Sequence, residues 1–206
     1  MKKLLLFGAL ALFGAMNAQT EKGSWVIGGS TTLGFTTATS KYKYQGESAD
    51  GPKVSSISVT PSVGYFVANN IAIGLDLGIS SVTQKNEEDL YSEKNTTTTI
   101  AVMPTASYYF KSASNIIPYL GVGVGYASSN NKNTYTENGN TNTDEGKVSG
   151  FAYKAKGGVV FLLNQNVGID VGLSYMGTNG KLDSNKDVKV NTGTFGVNAG
   201  VSVFFK

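Results

Sequence analysis

The stretch TGTFGVNAGVSVFFK, from Thr192 to Lys206, alternates between apolar and small polar side chains. Apolar residues occupy every second position from Phe195 to Phe205, and the positions between Phe195 and Val203 carry only Gly, Asn and Ser. A period of two predicts a β-strand with two chemically different faces. A strand of a water-soluble protein usually turns charged side chains to the water, whereas this polar face is small and neutral. The pattern therefore predicts an apolar face in lipid and a polar face in a crowded interior.

Seven earlier segments share this alternation, so the sequence predicts eight β-strands. The seven cover approximately residues 23–37, 54–67, 71–80, 95–110, 120–126, 148–163 and 167–175. Long polar stretches, predicted to be loops, lie at 38–53, 83–94, 129–147 and 177–187. Long loops that alternate with short turns are typical of an outer-membrane barrel, with the short turns in the periplasm. We therefore predict an all-β fold, an eight-stranded antiparallel up-and-down transmembrane β-barrel, in one domain over residues 19–206.

The short turns constrain the register of the predicted strands. Three-residue turns at 68–70 and 164–166 would pair Val67 with Ile71 and Leu163 with Val167. In this register, paired residues point to the same side of the sheet. Pro61 falls on an outward position, where its missing N–H predicts a bulge or a local irregularity. The final strand is expected to pair with the strand that begins near Gly23, because this removes the last open edge.

The start of the chain predicts export. Lys2 and Lys3 precede an apolar run, LLLFGALALFGAM, and Ala18 is a small residue before Gln19. These features indicate a Sec-type signal peptide over residues 1–18, with a mature chain from Gln19; the alternative is a buried N-terminal helix. No later stretch is apolar for long enough to predict a transmembrane helix. A membrane-spanning chain of this kind must therefore be a closed barrel.

The composition argues against several functions. All 17 basic residues are Lys, and the chain contains no His and no Cys, so it lacks the nucleophile pairs and most of the metal ligands that enzymes use. Removal of Lys2 and Lys3 lowers the formal charge from +3 to about +1, which leaves no basic excess for nucleic acid. We therefore expect no enzyme, no cofactor, no metal site and no nucleic-acid partner.

Four charged residues fall on inward positions of the predicted strands, namely Asp76, Lys154, Lys156 and Asp170. The interior of an eight-stranded barrel is just filled by side chains, and buried charges have to pair or stay hydrated. The opposite signs predict a salt-bridge network, with Asp170 on the strand next to both lysines. Whether Asp76 reaches the lysines depends on the strand stagger. The network is expected to be structural, with an ion or proton path as the alternative.

Aromatic residues are predicted to form two belts at the membrane interfaces. The belt near the short turns consists of Trp25, Tyr65, Phe110, Phe161 and Phe205. The belt near the long loops consists of Phe35, Tyr126, Phe151, Tyr153 and Tyr175. The core of a soluble sandwich would show no such banding.

These features resemble the small eight-stranded outer-membrane β-barrel proteins, the group that includes the OmpA transmembrane domain and OmpX-like porin-family proteins. The resemblance covers residues 19–206 and rests on Asn17-Ala18-Gln19, the eight alternating segments and the closing VSVFF of residues 201–205. The family's terminal signal usually ends on the aromatic residue, whereas Lys206 follows Phe205 here. OmpA-type proteins also carry a soluble peptidoglycan-binding domain, and we do not expect that anchoring role for this chain.

The resemblance implies a location in the cell outer membrane and a structural or surface-interaction role. The alternatives are a small porin-like channel for ions or polar solutes and a soluble periplasmic β-barrel binder. It also implies outer-membrane lipid and lipopolysaccharide as surroundings, the barrel assembly machinery and periplasmic chaperones as partners, and a monomeric state.

Overall fold

The strands of the chain follow its alternating pattern. The computed structural model describes residues 18–32, 36–44, 47–88, 91–112, 114–137, 139–185 and 187–206. Within these ranges the chain forms a 3₁₀ turn (Ala18–Thr20) and the strands β1 (Trp25–Thr32), β2 (Thr36–Tyr44), β3 (Glu47–Ala68), β4 (Ile71–Glu88), β5 (Tyr91–Tyr109), β6 (Ile116–Glu137), β7 (Asn140–Leu162), β8 (Val167–Leu182) and β9 (Lys189–Phe205). In this described part of the chain, no helix has the length and apolar character needed to cross a membrane.

The strands close into one antiparallel ring. From β3 to β9 each strand pairs with the next one in sequence, and β1 pairs with both β9 and β3. β2 continues along β3 above β1, so the two segments together form the first of eight strands around the ring in the described ranges. Trp25 lies opposite Phe205 on one side and Tyr65 on the other. The predicted up-and-down barrel, and the closing pair of first and last strands, are confirmed.

The side chains of each strand point outward and inward as predicted. At the end of β9, Phe205 is 41% exposed on the outside of the ring, whereas its neighbour Phe204 is 1% exposed inside it. The same contrast holds in β4, where Ile73 and Leu75 are exposed and Asp76 is buried. Because successive side chains point to opposite faces, the wall has a largely apolar exterior and a mixed interior.

The four polar stretches predicted as long loops are mostly strand, which corrects that expectation. The ladders continue to Tyr44–Glu47, Glu88–Tyr91, Glu137–Asn140 and Lys181–Lys189. These hairpins extend beyond the part of the wall with an apolar exterior, and their sequence carries no apolar alternation of period two. The backbone N–H and C=O groups still gain partners by extending the ladder, and Thr favours strands.

Of the two residue pairs that were predicted to flank the short turns, the structure contains one. Between β3 and β4 the ladder shifts after Phe66, and Ala68 pairs with Ile71, so the expected pairing of Val67 with Ile71 is wrong. Asn70 completes this turn with a positive φ of 69°, a conformation that Asn tolerates better than most residues. The predicted pairing at the other turn is confirmed, because the Leu163 N–H donates to the Val167 carbonyl at 2.8 Å.

Pro61 interrupts its ladder without changing the register. Pairs of β3 with β4 run up to Val59–Ile79 and resume at Ser62–Asp76. The missing N–H of proline explains the interruption, which is the local irregularity expected from the sequence.

Candidate functional site in the barrel lumen

The end of the lumen next to the short turns is filled by apolar side chains, here called the base cluster. Its members are Val26, Phe66, Ala72, Ile117, Tyr119, Val160, Leu162 and Phe204, with Tyr109 packed against them. The Tyr109 ring lies 5.3 Å from that of Phe66 and 5.6 Å from that of Tyr119, measured between centroids. These side chains come from β1 and from every strand between β3 and β9 except β8, so they fill the cross-section from all sides.

The N-terminal 3₁₀ turn lies against two of the short turns below the base cluster. Gln19 donates its Nε2–H to the Gln165 carbonyl at 2.9 Å, next to the β7–β8 connection. Thr20 donates its hydroxyl to Asn70 Oδ1 at 2.8 Å, and its carbonyl accepts the Asn70 N–H at 2.7 Å. Gln19 and Thr20 are both buried. The segment therefore connects turns that stand four strands apart in the ring.

Above the base cluster, three charged side chains meet in what we call the ion cluster: Asp76, Lys154 and Lys156. Lys154 Nζ donates to Asp76 Oδ2 at 2.9 Å, and Lys156 Nζ donates to Oδ1 and Oδ2 at 3.1 and 3.0 Å. The exposed fraction is 3% for the Asp76 side chain, 14% for Lys154 and 20% for Lys156. Charge-assisted hydrogen bonds of this kind offset the desolvation of the three groups.

Asp170 lies below the ion cluster and has other partners. Its Oδ1 accepts the Tyr119 hydroxyl at 2.8 Å, and its Oδ2 accepts the Ser202 hydroxyl at 3.5 Å. Asp170 is opposite Val160 in the β7–β8 ladder, whereas Lys156 is opposite Ser174, farther toward the long hairpins. The lysines therefore ion-pair with Asp76 on β4 across the lumen, although the sequence suggested Asp170 on the neighbouring strand. Strand stagger decides this outcome.

A larger cavity, which we call the vestibule, occupies the lumen between the ion cluster and the long hairpins. Its volume is about 550 Å³. Its inward-facing lining is mainly Ser and Thr, with Lys154, Met176 and Asn198. A second space of about 60 Å³ lies at the level of the ion cluster and is lined by Asp76, Tyr109, Tyr119, Lys154, Lys156 and Asp170 among others. The lumen is thus apolar at its base, ionic in the middle and hydroxyl-lined above.

The aromatic residues proposed from sequence as interface belts lie on the outside of the ring, apart from Phe35, which is outside the described residues. The exposed ones are Trp25, Tyr65, Phe110, Phe161 and Phe205 near the short turns and Tyr126, Phe151, Tyr153 and Tyr175 farther along. Trp25 and Tyr65 pack with ring centroids 4.9 Å apart, and Tyr153 and Tyr175 with 6.4 Å. Tyr108 and Phe195 are exposed aromatics on the same surface.

Sequence reasoning missed the inward-facing aromatic residues of the base cluster. Phe66, Tyr109 and Phe204 each stand next to an outward apolar residue, at a position where the alternation calls for a small polar side chain. An aromatic residue at such a position, close to a short turn or to the end of the last strand, is the signal that would have identified the base cluster. Among the described residues, no three acidic, Cys or His side chains gather into a possible metal site.

A closed eight-stranded antiparallel ring with an apolar exterior defines the class of β-barrels that span outer membranes. Residues 5–202 match the family model described as "Outer membrane protein beta-barrel domain", so the chain belongs to this family.

Several solved structures are similar to this chain. Neisserial surface protein A has 22% identity and a TM-score of 0.42, over 89% of this chain and 98% of that one. The outer membrane protein OprG from Pseudomonas aeruginosa has 16% identity and a TM-score of 0.48, over 91% and 98%. Ail, the attachment invasion locus protein of Yersinia pestis, has 17% identity and a TM-score of 0.41, over 89% and 99%. The comparison with curated proteins found no match.

Proposed function

We propose that this protein is an integral outer-membrane barrel that is closed to solutes and acts through its external hairpins, in a structural or surface-interaction role. The observation that carries this proposal is the base cluster. Phe66, Val160 and Phe204 are at most 1% exposed there. An ion that crossed this layer would have to exchange water for apolar side chains, which is costly. The ion cluster adds a second obstruction, because Lys154 and Lys156 reach across the lumen.

The exterior supports a membrane location for the wall. Apolar side chains such as Ile27, Ile73, Val122 and Val171 are exposed on strands all around the ring. A soluble protein would not leave a continuous apolar surface of this extent in water. We propose that this band contacts outer-membrane lipid, that the aromatic residues at its borders lie at the two interfaces, and that the long hairpins stand among lipopolysaccharide outside the cell.

The remaining parts of the proposal follow from export and assembly. Residues 1–18 would act as a cleaved Sec-type signal peptide, and the terminal strand ending in Phe205 would be read by the barrel assembly machinery after transport by periplasmic chaperones. The barrel is proposed to work as a monomer and without catalysis. Asp76 and Asp170, the two carboxylates described at the level of the ion cluster, have separate partners, and the sequence has no His or Cys as a general base or nucleophile.

The second candidate function is a small porin-like channel. The vestibule favours it, since its hydroxyl-lined space of about 550 Å³ continues down to an ion pair, as a conducting lumen would require. The two candidates differ in whether the base cluster ever opens.

Conductance in planar bilayers distinguishes the two functions. We expect the refolded protein to show no steady openings. We expect the double variant Phe66→Ala, Phe204→Ala to pass more current than the unaltered protein, because it removes two rings from the base cluster, although the ion cluster still narrows the lumen. Phe205→Ala is the matched control, since Phe205 neighbours Phe204 in sequence but faces outward. A heat-dependent shift in gel migration would verify that each variant is folded. Steady openings of the unaltered protein that change in Asp76→Asn would overturn the closed-barrel proposal.

A further inference from the structure

The vestibule has features of a ligand site that the closed-barrel role does not use. Its volume of about 550 Å³ lies within the range of small-molecule pockets. Its walls come from all seven strands from β3 to β9, and it lies on the hairpin side of the ion cluster. A ligand that enters from the hairpin end, which is the external end under the proposed function, does not have to pass the base cluster.

The polar part of the lining suits a molecule rich in hydroxyl groups. Inward-facing hydroxyls line the vestibule at Ser58, Thr60, Ser80, Thr97, Thr99, Ser129, Ser174, Thr178, Thr192 and Thr194. A hydroxyl can donate one hydrogen bond and accept two. The Ser and Thr hydroxyls around the vestibule can therefore act either as donors or as acceptors toward the hydroxyls of a sugar. Ser174 already accepts a hydrogen bond from Asn198 Nδ2 at 2.9 Å, which leaves its own O–H available to donate. The hydroxyls of Thr99 and Ser129 are hydrogen-bonded to each other at 2.8 Å, which fixes the positions of both side chains.

Most of the accessible surface of the wall is apolar, although the side chains that bear hydroxyls outnumber the others. Ala101 and Met176 line the vestibule, and Met176 packs against the small buried cluster that contains Ala101. Pyranose rings have C–H faces as well as hydroxyl edges, and an apolar strip beside hydroxyl-bearing walls can contact both. The polarizable Met side chain adapts to irregular shapes of this kind.

The ion cluster at the lower end of the vestibule favours a ligand of negative charge. Lys154 is the one ionisable side chain among the described residues that line the vestibule. It belongs to a cluster of two lysines and a single carboxylate, so the ion cluster carries a net positive charge. Asp170, which balances that charge overall, lies below and is bonded to Tyr119 and Ser202. Lys154 therefore lines the vestibule, whereas the carboxylate of its partner Asp76 is buried behind it.

We propose that the vestibule is a binding site for a small sugar acid, a hydroxyl-rich ring with one carboxylate, with Lys154 as its charged anchor. The carboxylate contacts Lys154 Nζ from the hairpin side, opposite Asp76, and the ring hydroxyls pair with the Ser and Thr side chains of β3, β5, β8 and β9. The apolar strip of Ala101 and Met176 packs against a ring face.

Calorimetric titration of the folded protein in detergent with D-glucuronate and D-glucose tests this proposal. The two probes differ only in a carboxylate in place of a hydroxymethyl group. We expect D-glucuronate to bind at least about tenfold more tightly than D-glucose, as a charge-assisted hydrogen bond provides. Acetate, which has the charge without the hydroxyls, is expected to bind more weakly than D-glucuronate. Equal affinity for the two sugars, or heat from neither, would overturn the proposal.

Two kinds of variant locate the site. In Lys154→Gln, the affinities for D-glucuronate and D-glucose are expected to differ by only about onefold, because the charged anchor is removed. Lys132→Gln is the matched control, since Lys132 is an exposed lysine that pairs with Glu145 on the external hairpin at 3.3 Å, and it should keep the preference. Should Lys154→Gln fail to fold, Ser80→Phe fills the vestibule and leaves the ion cluster intact. Binding that survives in folded Ser80→Phe would contradict this location.

Discussion

Lys154 of β7 and Asp76 of β4 meet across the lumen, with Nζ 2.9 Å from Oδ2, although 78 positions separate them in the sequence. The two strands stand three places apart in the ring, so the contact joins distant parts of the wall. Lys156 binds the same carboxylate, which makes Asp76 the common partner of two largely buried lysines. This relationship organises the middle of the lumen.

Asp76→Asn should destabilise the barrel much more than Asp170→Asn. The first change leaves two buried ammonium groups without a carboxylate, and loss of one partner of a buried pair costs about 3–5 kcal/mol. The second change keeps an oxygen and adds an amide near Tyr119 and Ser202, and both lysines keep their ion pair with Asp76. Reversible urea unfolding in lipid or detergent, followed by tryptophan fluorescence, measures the free energy of unfolding. Losses of equal size would contradict the central role of Asp76.

Phe204→Ala should cost about 3–5 kcal/mol of unfolding free energy, the usual range for a buried phenylalanine. The Phe204 ring fills the base cluster next to Tyr109, with ring centroids 6.2 Å apart. Phe205→Ala, one residue later and on the lipid face, should cost much less because no cavity forms inside the barrel. The same unfolding assay compares the two variants, and a larger loss for Phe205→Ala would show that the base cluster is not the tightly packed part of the wall.

Gly74→Ala should destabilise the barrel, whereas Gly29→Ala should be close to neutral. A Cβ on Gly74 would overlap the Val63 carbonyl oxygen and approach the Gly64 Cα to 3.0 Å, so backbone atoms would have to move. A Cβ on Gly29 meets no atom within 4 Å. Overpacking of this kind typically costs about 1–3 kcal/mol. Thermal unfolding midpoints of the two variants test the difference, and similar midpoints would contradict the close approach of β3 and β4 at this point.

Asn70→Ala should be more destabilising than Asn70→Gly. Both variants lose the Oδ1 that accepts the Thr20 hydroxyl at 2.8 Å. Only alanine also has to adopt the positive φ of 69°, which costs an L-residue roughly 1–2 kcal/mol, whereas glycine adopts it freely. Amide hydrogen exchange at Asn70, whose N–H is bonded to the Thr20 carbonyl, reports the local loosening. Faster exchange in the glycine variant than in the alanine variant would argue against this explanation.

Much of the fold could be predicted from local pattern. The facing of Phe195, Ile73 or Val171 follows from a period of two, and the pairing of Leu163 with Val167 follows from keeping like faces together across a turn. The extent of the hairpins could not be predicted this way. In the β6–β7 hairpin, whose ladder extends to the Glu137–Asn140 pair, Thr and Asn on both faces form strands without any alternation that a pattern could detect.

The sequence by itself determined which residues face outward and how many strands the ring has, because both follow from the alternation of neighbouring residues along each strand. The tertiary structure alone decided that Lys154 and Lys156 bind Asp76 while Asp170 binds Tyr119 and Ser202. It also decided that Phe66, Tyr109 and Phe204 meet at the base. These contacts join side chains across the lumen, and their heights depend on the accumulated stagger of several strand pairs, a quantity that no single segment encodes.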